Sequence, residues 1–411
     1  MTGAEAAAQR DARDPLAALR GRFVLPPGQI YLAGHSLGAL PDVVSERLAR
    51  AVRDEWGVGG VRSWNAARWI DAPRRLGDRL AALLGARPGE VLVCDSTSVN
   101  LFKLLGAALR LRPGRKVLLS EAGAFPTDAY IAACATRWLA PEHELRLVAR
   151  AGLVDAIDDD VAVALLHHVD YRTGHRLEMQ TLNAAARAHG ALTLWDVSHS
   201  TGVMPMELET WGADLAVGCG YKYLCGGPGA PAFVYVRADL LPGIEQPLEG
   251  WLGHAAPFAF EETYRAAPGI ERMLCGTPPI LSLLAFEAAL DVIEAADPTL
   301  VRAKSESLGD EFIEGIEREC AGLDVSVVSP RDAASRGSQI TLRHADGYPV
   351  VQALIARGVI GDFRAPDLLR FGLAPHYVSF GDVERAVTAL RDVLTKKEHL
   401  DPRFQQRSAV T

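Results

Sequence analysis

The sequence lacks the features that would assign it to several large functional classes. No G-x-G-x-x-G or P-loop motif occurs, so neither dinucleotide nor ATP binding is indicated. No uncharged apolar stretch approaches the roughly 20 residues that span a bilayer. The first 23 residues also lack the apolar core of a secretory signal. We therefore expect a cytoplasmic protein with no membrane partner.

Cysteine is scarce, and so is clustered basic charge. No two cysteines have the C-x-x-C spacing of a zinc or redox motif, so each is interpreted as a reduced, buried thiol and no metal site is expected. The six are Cys94, Cys134, Cys219, Cys225, Cys275 and Cys320. The 43 basic and 51 acidic residues give a net charge of -8 without any basic run, so nucleic acid is not an expected partner.

Six short apolar runs are present between about Gly89 and Val236, separated by helical patterns. They read VLVCD, KVLLS, VAVALLHHV, ALTLWDV, DLAVGCG and PAFVYV. Apolar runs without alternation predict buried strands of a mostly parallel sheet with helices on both faces. This is the large domain of an α/β protein, and the 411-residue length suits more than one lobe.

The flanking sequence predicts two further parts. Residues 251–279 are rich in Gly, Pro and aromatics, as in an extended connection. Helical patterns then start at Ile280 and Leu300, and strand and helix signals follow to Lys397, as in a small α+β domain. We divide the chain into an N-terminal segment that contributes to the site and the small domain, a large domain, and a C-terminal small domain. Their ranges are 1–60, 61–279 and 280–411. The alanine-rich first 20 residues are expected to fray.

Lys222, in the segment CGYKY, is the first candidate for chemistry. It follows an apolar run, lies between Tyr221 and Tyr223, and precedes a glycine-rich stretch. A lysine in a dry pocket loses part of its preference for the ammonium form, and a neutral amine condenses with an aldehyde. Taken alone, a lysine after a strand is more often a solvated surface residue.

The segment WDVSHS changes that interpretation. Open α/β sheets bind ligands at the carboxyl ends of their strands, where Asp196, His199 and Lys222 are expected to meet. A buried carboxylate facing the ring nitrogen of pyridoxal 5′-phosphate keeps that nitrogen protonated, which makes the cofactor an electron sink. Asp196 is the candidate carboxylate, while His199 could donate to the phenolate oxygen or pack on the ring. In isolation, each has an ordinary alternative, a turn aspartate and a satisfied core histidine.

The segment CDSTSVN predicts a phosphate cradle. It closes a strand and opens the helix VNLFKLLGAAL, so hydroxyls and free backbone N–H groups converge at a helix N-terminus. Thr97 and Ser98 are the predicted phosphate contacts, with plain N-capping as the alternative, and the Tyr221 hydroxyl is a further donor. Phe125 is expected to stack on the cofactor ring; the alternative is a core phenylalanine at a helix start.

Eight motifs occur in an order that closely resembles kynureninases of the bacterial type. They are Y-L-A-G-H-S-L-G, D-S-T-S-V-N-L-F-K, F-P-T-D, W-D-V-S-H-S-T-G, G-Y-K-Y-L, G-W-L-G-H, L-C-G-T-P-P and G-D-F-R-A-P-D-L-L-R-F-G-L-A-P. The match runs from about Tyr31 to Lys397. The resemblance implies a pyridoxal phosphate enzyme of fold type I in the class V aminotransferase superfamily, with a seven-stranded type of sheet in a cofactor-binding large domain. It also implies a homodimer whose subunits share their active sites.

The resemblance implies catalytic roles for Lys222, Asp196, His199 and Tyr221. Lys222 would hold the cofactor as a Schiff base, Asp196 would pair with the pyridinium nitrogen, and His199 would lie near the cofactor oxygen. Tyr221 would contact the phosphate. The other cofactor contacts implied within the subunit are Thr97, Ser98, Phe125 and Asp128.

Further positions are implied at the subunit boundary and on the substrate side. Trp251 and Thr277 would reach the phosphate from the partner subunit. Arg370 would clamp the substrate carboxylate, a role that needs the bidentate fork of an arginine. Ser36 and Trp64 would line the substrate side.

The activity implied is hydrolysis of L-kynurenine to anthranilate and L-alanine by cleavage of the Cβ–Cγ bond. Lys222 would remove the α-proton of the substrate. Enzymes that prefer 3-hydroxykynurenine resemble a version with histidine at the position of Trp64. We therefore hypothesise that an indole there favours the unhydroxylated ring.

Four positions depart from the family's pattern. His35, Ala124 and Cys225 replace asparagines, and His167 stands where a small hydroxyl residue is common. These changes leave the Schiff-base chemistry intact but open the question of the substrate. A paralogue that acts on a substituted kynurenine in a biosynthetic pathway is the first alternative.

Two other functions are alternatives. A cysteine desulfurase-like enzyme needs a mobile nucleophilic cysteine, and Cys225 and Cys275 both lie beside glycines. A catalytically silent binding protein or regulator would lack the lysine or carry a DNA-binding domain. Lys222 is present, and the first 30 residues are too short for such a domain.

Overall fold

The computed structural model describes residues 3–407 and contains eleven α-helices in that range. They are α1 Gly3–Asp11, α2 Asp42–Arg50, α3 Ser63–Ala66, α4 Ala72–Leu84, α5 Thr97–Arg110, α6 Pro126–Leu139, α7 Met179–Ala188, α8 Ile280–Ile293, α9 Pro298–Glu319, α10 Gly347–Ala356 and α11 Phe380–Thr395. The strands are β1 Phe23–Val24, β2 Ile30–Tyr31, β3 Leu40–Pro41, β4 Val91–Val93, β5 Val117–Glu121, β6 Glu144–Val148, β7 Val161–His167, β8 Leu192–Asp196, β9 Leu215–Cys219, β10 Ala232–Val236, β11 Ser326–Val327, β12 Gln339–Arg343, β13 Val359–Ile360, β14 Asp362–Arg364 and β15 Leu368–Gly372.

The central sheet has seven strands in the order β4-β10-β9-β8-β7-β5-β6. Its pairings from β6 to β9 are parallel, whereas β10 is antiparallel to both of its neighbours. The strands β4, β5, β7, β9 and β10 are buried along their whole length, because helices cover both faces. The predicted α/β fold with a mostly parallel sheet is confirmed.

One strand of this sheet was not predicted. Strand β6, with the sequence ELRLV, lies at the sheet edge, and Glu144 and Leu147 are exposed. An edge strand needs no continuous apolar run, so its sequence carries a weaker signal. The six predicted strands all form, because their apolar runs are buried on both faces.

The C-terminal part has its own sheet, in the order β11-β12-β15-β14, with antiparallel pairings. The helices predicted from Ile280 and Leu300 correspond to α8 and α9, and a helix predicted at the end of the domain, from Gly381 to Lys397, corresponds to α11. Strands β13 and β14 are short and were not predicted. The N-terminal segment reaches this part, because β2 pairs with β13 and Ala33 forms a bridge with Gly372.

The expectation that the alanine-rich N-terminus frays is wrong from Gly3 onward. Residues Gly3–Asp11 form α1, which packs on α11. The Asp11 carboxylate accepts the backbone N–H groups of Phe380 and Gly381 at 2.7 and 3.0 Å. Free N–H groups at a helix start favour an anion, so this contact fixes α1 to the start of α11. Residues 1, 2 and 408–411 of the proposed outer segments lie outside the described residues.

No helix within residues 3–407 combines the length and the apolar character that crossing a bilayer would require. The division of the chain at residues 60 and 279 stays a prediction.

Candidate active site

Lys222 lies where the carboxyl ends of β8 and β9 meet. These strands are parallel, so Asp196 at the end of β8 and the turn that follows β9 reach the same edge of the sheet. Lys222 Nζ is 3.0 Å from His199 Nε2. A small cavity lies here. Its walls are formed by Phe125, His167, Val169, Tyr171, Asp196, His199 and Lys222.

His199 is a neutral acceptor for the lysine. Its side chain is buried, and burial together with the neighbouring Lys222 lowers the pKa of His199 well below its usual value. A neutral ring can accept a hydrogen bond at one nitrogen, and Nε2 is the nitrogen that contacts Lys222 Nζ. His199 Nδ1 has no hydrogen-bond partner among residues 3–407. A buried ring nitrogen without a partner is expected at a site that binds a polar group.

Two carboxyl groups lie near the amine of Lys222. Asp196 Oδ1 accepts the N–H of Ser198 at 2.8 Å. Asp128, in the first turn of α6, is 2 % exposed, and burial and then Asp196 raise its pKa well above the usual value. Like charges in a dry site disfavour double ionisation, so Asp128 retains its proton beside Asp196.

The residues of the predicted cradle lie at the start of α5. Ser96, and not Thr97 or Ser98, is the N-cap, and its hydroxyl accepts the N–H of Val99 at 3.4 Å. The alternative of plain N-capping therefore applies to Ser96. Thr97 and Ser98 are half-buried in the first helical turn, where free N–H groups and the helix dipole favour an anion.

A buried lysine behind this cradle was missed by the sequence analysis. Lys103 is fully buried, and its Nζ donates to Asp95 Oδ2 and to the carbonyl oxygen of Met273, both at 2.6 Å. Asp95 has a φ of 47°, in the left-handed region that few side chains adopt. Lys103 thus fixes the turn before α5 and holds it against the segment leading to Thr277. The one indication of a role for Lys103 in the sequence is that it is the last residue of the motif D-S-T-S-V-N-L-F-K.

Phe125 and Tyr221 have different surroundings. Phe125 lines the cavity, is 44 % exposed and meets the Tyr171 ring edge-on at 5.1 Å, so it is not a core residue. Tyr221 is half-buried and lies outside the cavity wall, with Lys222 Nζ 5.9 Å from its ring centre. Burial raises the pKa of Tyr221, so its hydroxyl keeps its proton and can donate.

The remaining predicted residues are not brought into the cavity wall by the described chain. Trp64 meets Trp69 edge-on at 5.9 Å in a separate cluster. Ser36 is half-buried in the turn that follows β2. Trp251 and Thr277 are exposed.

Arg370, on β15, is buried and is partly engaged within the chain. Its Nε and Nη2 donate to the two carboxylate oxygens of Asp362 at 2.7 and 2.5 Å, and its Nη1 donates to the Tyr171 carbonyl at 2.6 Å. One edge of the predicted fork is therefore held by Asp362, because a buried guanidinium needs a counter-charge. Tyr171 also lines the cavity, which brings Arg370 to its border.

His35 shares the carboxylate of Asp362. His35 Nε2 is 3.1 Å from Asp362 Oδ1, and the His35 ring lies 6.4 Å from the ring of His199. Burial lowers the pKa of His35 to about 4 despite the carboxylate. Burial alone would raise the pKa of Asp362, but His35 and Arg370 outweigh it and hold that pKa far below its usual range. The departure at His35 thus belongs to an anchored polar network.

The motif Y-L-A-G-H-S-L-G of the N-terminal segment, residues 31–38, packs on the turn that follows β9 and contains Lys222, the lysine turn. The Gly38 N–H donates to the Tyr221 carbonyl at 2.8 Å. A Cβ atom at Gly38 would lie 2.2 Å from the Lys222 carbonyl oxygen, so a side chain there would displace the turn. Cys225, which closes the turn, is buried with a φ of 56°. That backbone suits asparagine better than cysteine.

Comparison with known proteins identifies the family. The family model described as the kynureninase C-terminal domain matches residues 301–390. The kynureninase of Burkholderia pseudomallei strain 1106a is 50% identical over 416 aligned residues, which cover 100% of both chains. The kynureninase of Pseudomonas fluorescens is 49% identical over 98% of each chain.

The chain belongs to the kynureninase family.

Solved structures agree with the family assignment at the level of the fold. The cysteine desulfurase of Thermococcus onnurineus has a TM-score of 0.77 at 18% identity, covering 92% of this chain and 98% of its own. A C-DES mutant with glycine covalently linked to its pyridoxal phosphate cofactor has a TM-score of 0.79 at 16% identity, covering 91% and 99%. At such identities, the likeness shows the fold alone, which is that of fold type I enzymes.

Proposed function

We propose that this kynureninase family member is a pyridoxal 5′-phosphate-dependent hydrolase that cleaves the Cβ–Cγ bond of L-kynurenine to give anthranilate and L-alanine. One observation carries the proposal. Lys222 Nζ lies 3.0 Å from His199 Nε2 beside Asp196, in a chain 50% identical to a kynureninase over its full length.

The residues around the cavity fit pyridoxal phosphate. Lys222 offers an amine, Asp196 a carboxylate and Phe125 an accessible ring, while the start of α5 offers N–H donors for a phosphate. The unpartnered Nδ1 of the buried His199 also calls for a polar ligand. When bound, the cofactor supplies the electron sink for charge that develops at the substrate's α-carbon.

The protein's own groups then handle the protons. Lys222 Nζ takes the α-proton of the substrate, and His199 Nε2 accepts a hydrogen bond from the resulting ammonium group. Asp128 keeps its proton, since burial and Asp196 raise its pKa. Asp196 would then be the carboxylate that keeps the ring nitrogen of the cofactor protonated.

Arg370 is proposed to hold the substrate carboxylate. Asp362 occupies one edge of its guanidinium, which orients the remaining N–H groups beside Tyr171 at the cavity border. Ser36 and Trp64 are proposed to line the substrate side, with Trp64 favouring the unhydroxylated ring. Trp64 lies outside the cavity wall, so its role depends on the assembled dimer.

A homodimer with shared sites is proposed for the assembly. Trp251 is 41% exposed and meets Phe258 edge-on, and Phe258 and Phe260 are 63% and 77% exposed. Three exposed aromatic rings in contact are costly in water and are typical of an interface. Thr277 is exposed as well. A cytoplasmic location is proposed because all six cysteines are free.

The function is tested by incubating purified protein with kynurenine and with 3-hydroxykynurenine and following the fluorescence of the anthranilates. We expect faster release from kynurenine. Borohydride should fix a pyridoxyl group on Lys222, and Lys222→Ala should lower kcat by about 10³-fold or more. Lys116→Ala, at an exposed lysine, is the control and should retain activity. Full turnover by Lys222→Ala contradicts the proposal, and a preference for 3-hydroxykynurenine contradicts the role of Trp64.

The desulfurase alternative is disfavoured by the environment of the cysteines. Burial raises the pKa of the Cys225 thiol to about 12, and burial also raises the pKa of Cys275. A thiol that stays protonated is a poor nucleophile. Incubation with cysteine is therefore expected to release no sulfide. Substituted kynurenines belong in the same assay, because His35 and Ala124 depart from the family's amides.

A further inference from the structure

A buried charged cluster lies next to the cavity, at the ends of β5 and β7. Glu121 ends β5, His167 ends β7 and Asp170 follows it; each is at most 5% exposed. Arg150 Nε donates to Glu121 Oε1 at 3.0 Å, and its Nη2 donates to Asp170 Oδ2 at 2.7 Å. Two carboxylates thus share a single guanidinium.

His167 joins this cluster to the cavity. His167 Nε2 is 3.2 Å from Glu121 Oε2 and 3.8 Å from Asp170 Oδ2. On the adjacent strand β8, its register partner is Asp196, and both side chains line the cavity. Neither ring nitrogen of His167 has a well-directed hydrogen bond within residues 3–407.

By formal charge the cluster is negative, because two carboxylates share the one guanidinium of Arg150. Burial lowers the pKa of His167 against the pull of Glu121 and Asp170, so the ring is neutral near pH 7. Burial alone would raise the pKa of Asp170, but the backbone N–H groups of Arg172 and Thr173 and the guanidinium of Arg150 outweigh it and hold that pKa below its usual value. His175, which faces the same groups, also has a pKa lowered by burial.

The same three side chains could also hold a metal ion, since their ligand atoms lie within 4.8 Å of one another. The guanidinium of Arg150 already supplies the positive charge that such carboxylates require. A role in the field of the cavity therefore fits the cluster better than metal binding.

We propose that His167 is a positioning residue at the end of the cavity where the cofactor binds. It holds the negative cluster of Glu121, Asp170 and Arg150 beside Asp196. The negative charge of the cluster would then favour the protonated form of a cationic group on the bound cofactor, so that this group loses its proton only at a higher pH. The proposal rests on the proposed function, because it presumes that pyridoxal phosphate binds at Lys222. The proposal assigns a role to His167, which stands at a position where the family commonly has a small hydroxyl residue.

The test is a pH titration of the visible absorbance of the holoenzyme. His167→Phe places an apolar ring against Glu121, which favours the protonated, uncharged carboxyl group, and Glu121→Gln removes the carboxylate itself. Both variants should lower the midpoint pH of this absorbance titration by about one unit, as expected for the loss of one nearby buried charge. His167→Gln restores a donor and should stay near the parent. The matched control is His168→Phe, since His168 is the adjacent buried histidine and packs instead on Trp195 and Trp211.

The dissociation constant of pyridoxal phosphate from the apoenzyme is the second readout. It should rise about tenfold in His167→Phe and in Glu121→Gln, and it should stay unchanged in His168→Phe. If His167→Phe does not fold, Glu121→Gln decides. Midpoints and dissociation constants equal to the control overturn the proposal while the parent still releases anthranilate. A parent that neither binds the cofactor nor releases anthranilate overturns the proposed function instead.

Discussion

Cys225 is a single residue whose backbone conflicts with its side chain. Its φ of 56° lies in the left-handed region, where a non-glycine residue other than asparagine is strained. Its Sγ contacts the Tyr223 carbonyl at 3.6 Å and the N–H of Ala39, which are partners that an amide can use. We expect Cys225→Asn to raise the free energy of unfolding by about 1 kcal/mol. Urea denaturation measures the change.

Cys134→Asn is the matched control for that experiment. Cys134 is half-buried within α6, where the backbone is helical and asparagine is unfavourable. It should be neutral or destabilising. Equal effects at Cys134 and Cys225 would show that backbone strain is not the cause.

Asp362 holds Arg370, the residue proposed to bind the substrate carboxylate, in position. Its carboxylate is shared by Arg370 and His35, all three buried. Asp362→Asn leaves a buried guanidinium without its counter-charge, so we expect a loss of about 3 kcal/mol of stability. A freed Arg370 would also rotate away from Tyr171, which should raise KM for kynurenine more than it lowers kcat. Unchanged KM in a folded variant would contradict this positioning role.

At the scale of elements, the motif of residues 31–38 and the lysine turn are so closely packed that no side chain fits at Gly38. A Cβ atom on Gly38 would meet the Lys222 carbonyl oxygen at 2.2 Å and the Cys225 Sγ at 2.6 Å. We expect Gly38→Ala to lower kcat by about tenfold or more, since displacing a reacting amine by about 1 Å is costly. Gly21→Ala, where nothing lies within 4 Å of the added Cβ, should leave kcat unchanged. Equal activities of the two variants would contradict the idea that Gly38 positions Lys222.

The same elements show what the sequence could predict. Runs such as VAVALLHHV identified the buried strands, and polar residues at their ends identified Lys222, Asp196 and His199, because strand ends converge in any such sheet. Lys103 and Asp362 were missed because their partners are set by tertiary packing. Asp95 and Met273, for example, lie far apart in sequence but both bind Lys103. Trp64 and Thr277 stay predictions, because Trp64 packs in a separate cluster and Thr277 is exposed.

At the scale of the molecule, buried neutral histidines tie stability to pH. Burial lowers the pKa of His35, His168 and His376 to about 4, about 3 and about 4. Below pH 6.5 the unfolded chain binds protons that the folded chain does not, so stability should fall as the pH drops from about 6.5 to about 4. We expect His376→Phe to reduce that slope by up to about 1.4 kcal/mol per pH unit.

The measurement is urea denaturation between pH 7 and pH 5 at a fixed protein concentration, which keeps any subunit equilibrium constant. His189→Phe serves as the control, because His189 is a surface residue paired with Asp159. Its slope should match that of the parent. The same slope for His376→Phe would show that His376 takes up its proton in the folded protein.

The proposed sharing of active sites between two subunits can be tested by mixing variant chains. If Trp251 serves the partner's site, Trp251→Ala and Lys222→Ala chains are each inactive alone. A mixed dimer then has one site with both residues intact and one site with neither. Random mixing makes half of the dimers mixed, so activity should return to about a quarter of the parent's. A mixture of Lys222→Ala with Asp196→Ala should stay inactive, because both residues line the same cavity of one chain. If mixed dimers form and the Trp251→Ala mixture stays inactive, Trp251 acts within its own subunit, and its exposure must be explained by packing at the interface alone.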